Sequence, residues 1–405
     1  MSVLFFSPGF PAEMPLFVRG LAEIGVRVIG LGDQPAGALP EPVRARLSGY
    51  IRLDNLWDEE AAVRRVAGEA RRYGIERVEC LWEPGVLLAA RLREALGLPG
   101  MTREQTVPFR DKTVMKRILQ KAGLRTPHHA RATTAGECRE AAEKIGYPLI
   151  VKPVAGAGSA DTYRLDGPDD LERVLPRIAH VPEVSVEEFI DGEEFTFDTV
   201  CHDGVIAFHN ISWYRPRPLV ARTLQWTSPQ TVALRDVEAP HLAAGAELGR
   251  KVLAALGFRT GFTHMEWFRK EDGEAVFGEI AARPPGARST DLMNFACDID
   301  LFRGWAEAVC HRRFTQPVRR LYNVAIIFKR AEGEGRIRAI TGLESLLARY
   351  GRAVVSVDLL PVGALRRDWK QTLLSDGWLV VRHPDLGRTL EIADAVGTDL
   401  RLFAG

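Results

Sequence analysis

The sequence predicts an α/β and α+β protein of two or three domains. Three observations carry this. Apolar strands alternate with helices over residues 1–106. Antiparallel hairpin signals follow at Asp191-Gly192 and Asp272-Gly273. A chain of 405 residues exceeds what one core usually organises.

In the first segment, Val3–Phe6, Val26–Leu31 and Val78–Leu81 read as strands. Helices run to about Ile24, over Glu59–Tyr73 and over Val86–Leu96. Strands separated by helices give a parallel sheet with both faces covered. No GxGxxG follows the first strand, so the dinucleotide fingerprint is missing. Glu83 lies just past the third predicted strand, at the end where such sheets present ligands. An exposed loop acid is the other reading.

Asp111–Gly123 is a helix opened by Asp and closed by Gly. Tyr147–Lys152 is a buried strand ending in a lysine, which must snorkel or meet an anion. Ala155–Ser159 follows, and the bare N–H groups of Gly156 and Gly158 can approach phosphate oxygens closely. Strands at Val186–Ile190 and Glu194–Val200 flank Asp191-Gly192. Glu187 and Glu194 then read either as solvated hairpin acids or as a cleft edge accepting hydrogen bonds from a nucleoside. Arg215–Gln225 is irregular and holds Arg215, Arg217 and Arg222 beside aromatic residues. It reads equally as a substrate loop or a packed surface loop.

Gly261–Gly286 is the stretch the rest serves. With Asp272-Gly273 as the turn, Glu266 faces Glu279 and His264 faces Ala281. Alternation puts His264, Glu266, Phe268, Phe277, Glu279, Ala281 and Arg283 on one face. Opposed carboxylates about 5 Å apart repel. A hard cation, Mg²⁺ or alternatively Mn²⁺, removes that repulsion and takes phosphate oxygens as further ligands. A solvated acidic patch is the competing reading. Pro240–Leu256 precedes the hairpin as an amphipathic helix, and Asp291–Val309 follows as helices. From about Gln316 the pattern changes to a small α+β unit.

Net charge is +1 and charged residues are 26%, so no basic field calls for nucleic acid or anionic membrane. The five cysteines form no CxxC pair, which points to a reducing, cytoplasmic setting and away from a zinc cluster. The N-terminus reads as a first strand and not a signal peptide, and no apolar run has transmembrane length.

Assembled, these pieces resemble the ATP-grasp superfamily over nearly the whole chain. The stretch E-E-F-I-D-G-E-E-F-T resembles the hinge of D-alanine–D-alanine ligase, with its two acids at the same separation. The resemblance implies an ATP-grasp fold in three parts: a pre-ATP-grasp α/β domain at 1–106, a split nucleotide-binding domain at 107–315 with a lid at about 133–190, and an α+β domain at 316–405 similar to that of biotin carboxylase-like enzymes. It implies that Lys112 and Lys152 are the nucleotide lysines and that Gly156, Gly158 and Ser159 are the phosphate loop. Glu187 with Phe189 and Ile190 would meet the base, and Glu194 the ribose. Glu266 and Glu279 would be the metal acids, and Arg283 would face the reacting carboxylate. His264-x-Glu266 and EIAARPPG look most like stand-alone amino-acid ligases.

The family usually reads E-x-N-x-R on the second hairpin strand, and here Ala281 replaces the ligating Asn. That puts a second metal in question. Residues typical of biotin carboxylases after Arg283 are missing. The expectation is therefore an ATP- and Mg²⁺-dependent carboxylate–amine ligase acting through an acylphosphate on a small carboxylate and a small amine, with Lys152, Arg283 and His264 as catalytic candidates. Glu83 and Arg288 are substrate candidates, and related enzymes are often dimers. A carbamate or thiol acceptor, or a nucleotide-binding module without catalysis, are the alternatives.

Overall fold

Every residue of the first strand is buried, and so is all but one of the second, as a sheet covered on both faces requires. A computed structural model describes residues 1–154, 161–369, 372 and 374–405. Strands β1 (Ser2–Phe6), β2 (Arg27–Gly32), β3 (Leu47–Arg52) and β4 (Arg77–Glu79) form a parallel sheet in the order β3-β2-β1-β4. Strand β3 has no counterpart in the sequence reading. It is an edge strand with one buried residue, Ile51, so it shows no periodicity. Glu83 thus follows the fourth strand and not the third, in a short turn leading to the helix Val86–Leu96.

This unit is held to the rest of the chain by a close helix pair. In helix Met14–Glu23, a Cβ on Gly20 would lie 2.5 Å from the Phe302 carbonyl, so the glycine lets helix Leu301–His311 approach. Phe17 meets Trp305 edge-on with centroids 5.2 Å apart.

The second sheet is antiparallel and small: β5 (His129–Ala132), β6 (Leu149–Pro153), β7 (Tyr163–Leu165) and β8 (Val184–Glu188), in the order β5-β8-β6-β7. It buries Leu149, Val151, Leu165 and Val186 with its own two helices, apart from the main core. Strand β8 stops at Glu188, two residues before the expected Ile190.

The third sheet has nine strands. Its members are β9 (Glu193–His202), β10 (Val205–Asn210), β11 (Ser212–Arg215), β12 (Gln230–Ala233), β13 (Gly261–Arg269), β14 (Ala275–Ala281), β15 (Asn323–Phe328), β17 (Val354–Leu359) and β18 (Gly377–His383). The order is β14-β13-β9-β11-β12-β15-β18-β17, with β10 on β9. The sheet therefore continues across residue 315 into the C-terminal segment. There β16 (Ile337–Thr341) and β19 (Arg401–Ala404) form a separate ribbon. The stretch 215–225, irregular by sequence, contains the helix Pro218–Thr223. Asp291–Val309 resolves into helices Ser289–Cys297 and Leu301–His311.

One packing detail positions the central hairpin. Helix Ala243–Ala255 lies on the back of the sheet, with Gly245 against Trp267 and Gly249 against Phe197. A Cβ at either glycine would sit 2.1 Å or 2.3 Å from those rings. Trp267 thus points to the helix, and its neighbours Glu266 and Phe268 point the other way. Pairing runs His264 to Ala281 and Glu266 to Glu279, as the turn at Asp272-Gly273 implies. A bulge then shifts the register, so Trp267 faces Phe277. Gly278 supplies the extra residue. The expectation that Phe277 shares the Glu266 face is overturned: Phe277 is fully buried in the core with Trp267. Among the described residues no helix is long and apolar enough to cross a membrane.

Candidate active site

A cavity of about 580 Å³ opens between the small antiparallel sheet, the β13–β14 hairpin and the loop after β4. That volume suits a small-molecule site. Its floor is the outward face of β9 and β13. Glu194, Thr196 and Asp198 alternate on β9 and pair with Phe268, Glu266 and His264 on β13.

The Glu266–Glu279 pair lines this cavity. Its negative charge is met by protein cations: Lys112 Nζ lies 2.8 Å from Glu279, and His264 Nε2 lies 3.4 Å from Glu266. His264 in turn has Nδ1 2.6 Å from Asp198, whose other oxygen accepts from the Thr196 hydroxyl at 2.7 Å. Burial alone would lower the His264 pKa, but Asp198 and Glu266 outweigh it and raise it to about 9. Burial would raise Glu266. The His264 hydrogen bond and charge, with Arg283 and Lys152, bring it below the usual carboxylate range instead.

The roof comes from β6 and β8. Ile150 pairs with Glu187 and Lys152 with Ser185, so Lys152 and Glu187 share a face. Lys152 Nζ is 2.9 Å from Glu187, and Lys116 Nζ is 2.6 Å from the same carboxylate. Glu187 is 3% exposed. Desolvation pushes its pKa up, yet the two lysines hold it far below the ordinary value. Burial lowers Lys116 to about 8, with Glu187 opposing.

Phe189, Ile190 and Glu194 line the connection between roof and floor. Arg217 ties them together. It donates to the Ile190 carbonyl at 2.9 Å, reaches Glu194 at 3.4 Å, and lies over the Phe189 and Phe268 rings, 4.8 Å from each centroid. Glu194 differs sharply from Glu187: burial, then the charge of Glu266, raise its pKa to about 8.

At the N-terminal end, Arg283 donates from Nε to Glu83 at 2.8 Å, and Arg110 binds the other oxygen of the same carboxylate. Burial would raise Glu83, and the charges of Arg283 and Arg110 hold it low. Arg288 goes elsewhere. It pairs with Asp291 at 2.7 Å and does not line the cavity.

The structure thus brings together, in one cavity, Glu83, Lys112, Lys152, Glu187, Phe189, Ile190, Glu194, His264, Glu266, Glu279 and Arg283. It leaves Arg288 outside. Gly156, Gly158 and Ser159 lie outside the described residues. Sequence reasoning missed Lys116, Asp198 and Arg110. Two signals were available: Lys116 stands four residues after Lys112 on one helix, and Asp198 continues the period-two row begun by Glu194.

The fit of a metal rests on the donor set. Two hard-oxygen carboxylates oppose each other in register, which suits Mg²⁺. No group of three or more His, Cys, Asp or Glu side chains that could hold a metal occurs among the described residues. An ion held there would need further ligands from outside these side chains.

Residues 145–291 match the ATP-grasp domain family, and residues 22–100 match the ATP-grasp N-terminal domain. The chain belongs to the ATP-grasp superfamily. Its architecture is similar to the crystal structure of an L-amino acid ligase from Bacillus licheniformis, with TM-score 0.81 and 22% identity, covering 100% of this chain and 98% of that one. It is 26% identical over 285 residues to an L-arginine-specific L-amino acid ligase of Bacillus subtilis, spanning 69% of this chain and 68% of the relative. It is also 28% identical over 275 residues to an alanine–anticapsin ligase of Bacillus subtilis strain 168, spanning 62% and 57%. Within its superfamily the chain is a ligase of the carboxylate–amine class.

Proposed function

We propose that the chain joins the carboxylate of one amino acid to the amine of another, converting ATP to ADP and phosphate through an acylphosphate. The opposed pair Glu266 and Glu279, facing a lysine-lined cavity, is the observation that carries this. The amino-acid ligases among its relatives support the substrate class.

Glu266 and Glu279 would hold Mg²⁺, which would neutralise charge on the triphosphate. The protein's own groups do the rest. Phe189 and Ile190 bracket the base. Glu194, beside Arg217 at the cavity edge, can accept hydrogen bonds from the ribose hydroxyls. Lys152 and Lys112 are drawn from their carboxylates toward the phosphates. The donor carboxylate attacks the γ-phosphorus, and the bond from Pγ to the bridging oxygen breaks, its oxygen and electron pair leaving with ADP. The amine then attacks the acyl carbon and Arg283 offsets the oxyanion; the C–O bond to phosphate breaks, and the released phosphate takes up the proton the amine gives up. Asp198 and His264 fix the orientation of Glu266. Glu83, held between Arg110 and Arg283, lies at the carboxylate end of the cavity, where an acid can hold a substrate ammonium.

Incubation with ATP, Mg²⁺ and pairs of protein amino acids should release ADP and yield dipeptides identifiable by mass. Glu279→Gln should cut turnover about a thousandfold with the fold intact, the scale of losing a metal's charge stabilisation. Full activity in that variant removes the metal assignment.

A further inference from the structure

Six lysine and arginine side chains among the described residues line the cavity. Four have a carboxylate partner: Lys112 with Glu279, Lys152 with Glu187, Arg217 with Glu194 and Arg283 with Glu83. The remaining two are Arg222 and Arg330. Arg222, on the helix Pro218–Thr223, makes no hydrogen bond, ion pair or ring contact among the described residues. Arg330, just past β15, spends one nitrogen on the carbonyls of Ala221 and Leu224, at 2.9 and 2.8 Å, and its guanidinium lies 4.3 Å from the Trp369 ring centroid. Its Nε is buried with no hydrogen-bond partner among the described residues.

Two guanidinium groups line one cavity, and among the described residues neither has a carboxylate partner. Each cation taken from water without an anion is a cost. The Arg222 charge, after burial, is what lowers the Arg330 pKa to about 10. Arg330 is fixed in place by two backbone acceptors and a ring, so it orients the wall. Arg222 is the fork that no described residue engages. A guanidinium fork is matched by a planar carboxylate through two parallel hydrogen bonds.

We propose that Arg222, backed by Arg330 on its Trp369 platform, receives the carboxylate of the amine-bearing substrate. This rests on the ligase reading above. In that reaction the donor's carboxylate is consumed beside the hairpin acids, and the triphosphate is served by Lys112 and Lys152. An amino acid acting as the amine carries a second carboxylate that takes no part in bond formation. It must lie away from the phosphates, which repel it. Arg222 is on a different element from Glu266, Glu279 and Arg283 and offers the uncommitted positive charge that this group needs.

The test compares each amine substrate with its carboxamide, which keeps the amine and removes the negative charge. Wild type should prefer the acid, and Arg222→Gln should raise the KM of the acid about twentyfold, the scale of one lost charge-assisted hydrogen-bond pair. The KM of the carboxamide, of ATP and of the donor should stay within about twofold, and Arg222→Lys should recover part of the loss, as a charge without a fork does. An unchanged acid-to-amide ratio in Arg222→Gln overturns the proposal, as does a loss that falls on ATP. The same pairs are titrated calorimetrically in the presence of Mg²⁺ and a non-hydrolysable ATP analogue. If no pair is ligated but binding still favours the acid in an Arg222-dependent way, the ligase reading fails and the subsite stands. If neither turnover nor binding distinguishes acid from amide, the subsite is refuted.

Discussion

Glu187 and Glu194 flank the same Asp191-Gly192 turn and are both almost fully buried, at 3% and 6% exposure. In sequence they are interchangeable acids. In the fold they are opposites. Glu187 sits between Lys116 and Lys152 and is held ionised. Glu194 has one guanidinium at 3.4 Å and the Glu266 carboxylate nearby, and its pKa rises to about 8. Burial is common to both, so it does not decide the charge. The count of neighbouring cations does. One side of the turn is a charged lock between strands β6 and β8 and the helix that carries Lys116. The other is a carboxyl group facing the cavity, its pKa raised by burial and by Glu266.

The same substitution should therefore act with opposite sign at the two positions. Glu187→Gln leaves two buried lysines without their shared anion and should destabilise the protein by about 3–5 kcal/mol. Denaturant unfolding at pH 7 measures this. A loss below about 1 kcal/mol would mean that the lysines find other partners and that the lock is illusory.

Glu194→Gln should instead stabilise the nucleotide-free protein, by about 2 kcal/mol at pH 7, because the native state no longer has to keep a carboxyl protonated above its ordinary pKa. The sign follows from linkage. A raised folded pKa contributes stability that is fully present below about pH 4.5 and is lost as pH rises through about 8. The gain in Glu194→Gln should shrink toward pH 5 and level off above pH 8. A gain that grows toward acid pH would contradict the assignment. Affinity for ATP should change little in the same variant if the acid is protonated there, since the Gln amide also both donates and accepts hydrogen bonds.

How much of this was legible follows from what each signal measures. The Asp-Gly turn and period-two alternation gave the opposition of Glu266 and Glu279, because register follows from turn geometry. The bulge at Gly278 was not legible, since one inserted residue leaves alternation intact on either side, and Phe277 changed faces as a result. Lys152 stood out because it closes an apolar strand. Lys116 did not, because a lysine one turn after another on an amphipathic helix looks like a solvated face, although it is 1% exposed. Charge state was outside what the sequence offers. It depends on residues from four separate stretches meeting around one hinge: Lys116, Lys152, Arg217 and Glu266. The nine-stranded sheet crossing residue 315 was hidden for a similar reason, because a change of local pattern does not reveal which strands pair at long range.

The smallest effect concerns the group that lies between Glu194 and the hairpin acids in this balance. Asp198 Oδ1 holds His264 Nδ1 at 2.6 Å, and His264 Nε2 faces Glu266. Asp198→Asn removes the main charge that raises the His264 pKa to about 9. The ring should then be neutral at pH 8, and Glu266 should lose the cation that keeps it ionised. The contribution of His264 to stability is present below about pH 6.5 and lost as pH rises through about 9, so in Asp198→Asn the decline over that window should flatten. Turnover should fall about tenfold, or about 1.4 kcal/mol, with the KM for ATP nearly unchanged, as expected of a residue that acts through another. His264→Gln should match Asp198→Asn in turnover, and the double variant should lose little more than either alone, because both remove the same hold on Glu266. Additive losses would mean that Asp198 stabilises β9 and has no part in setting the charge of the carboxylate pair.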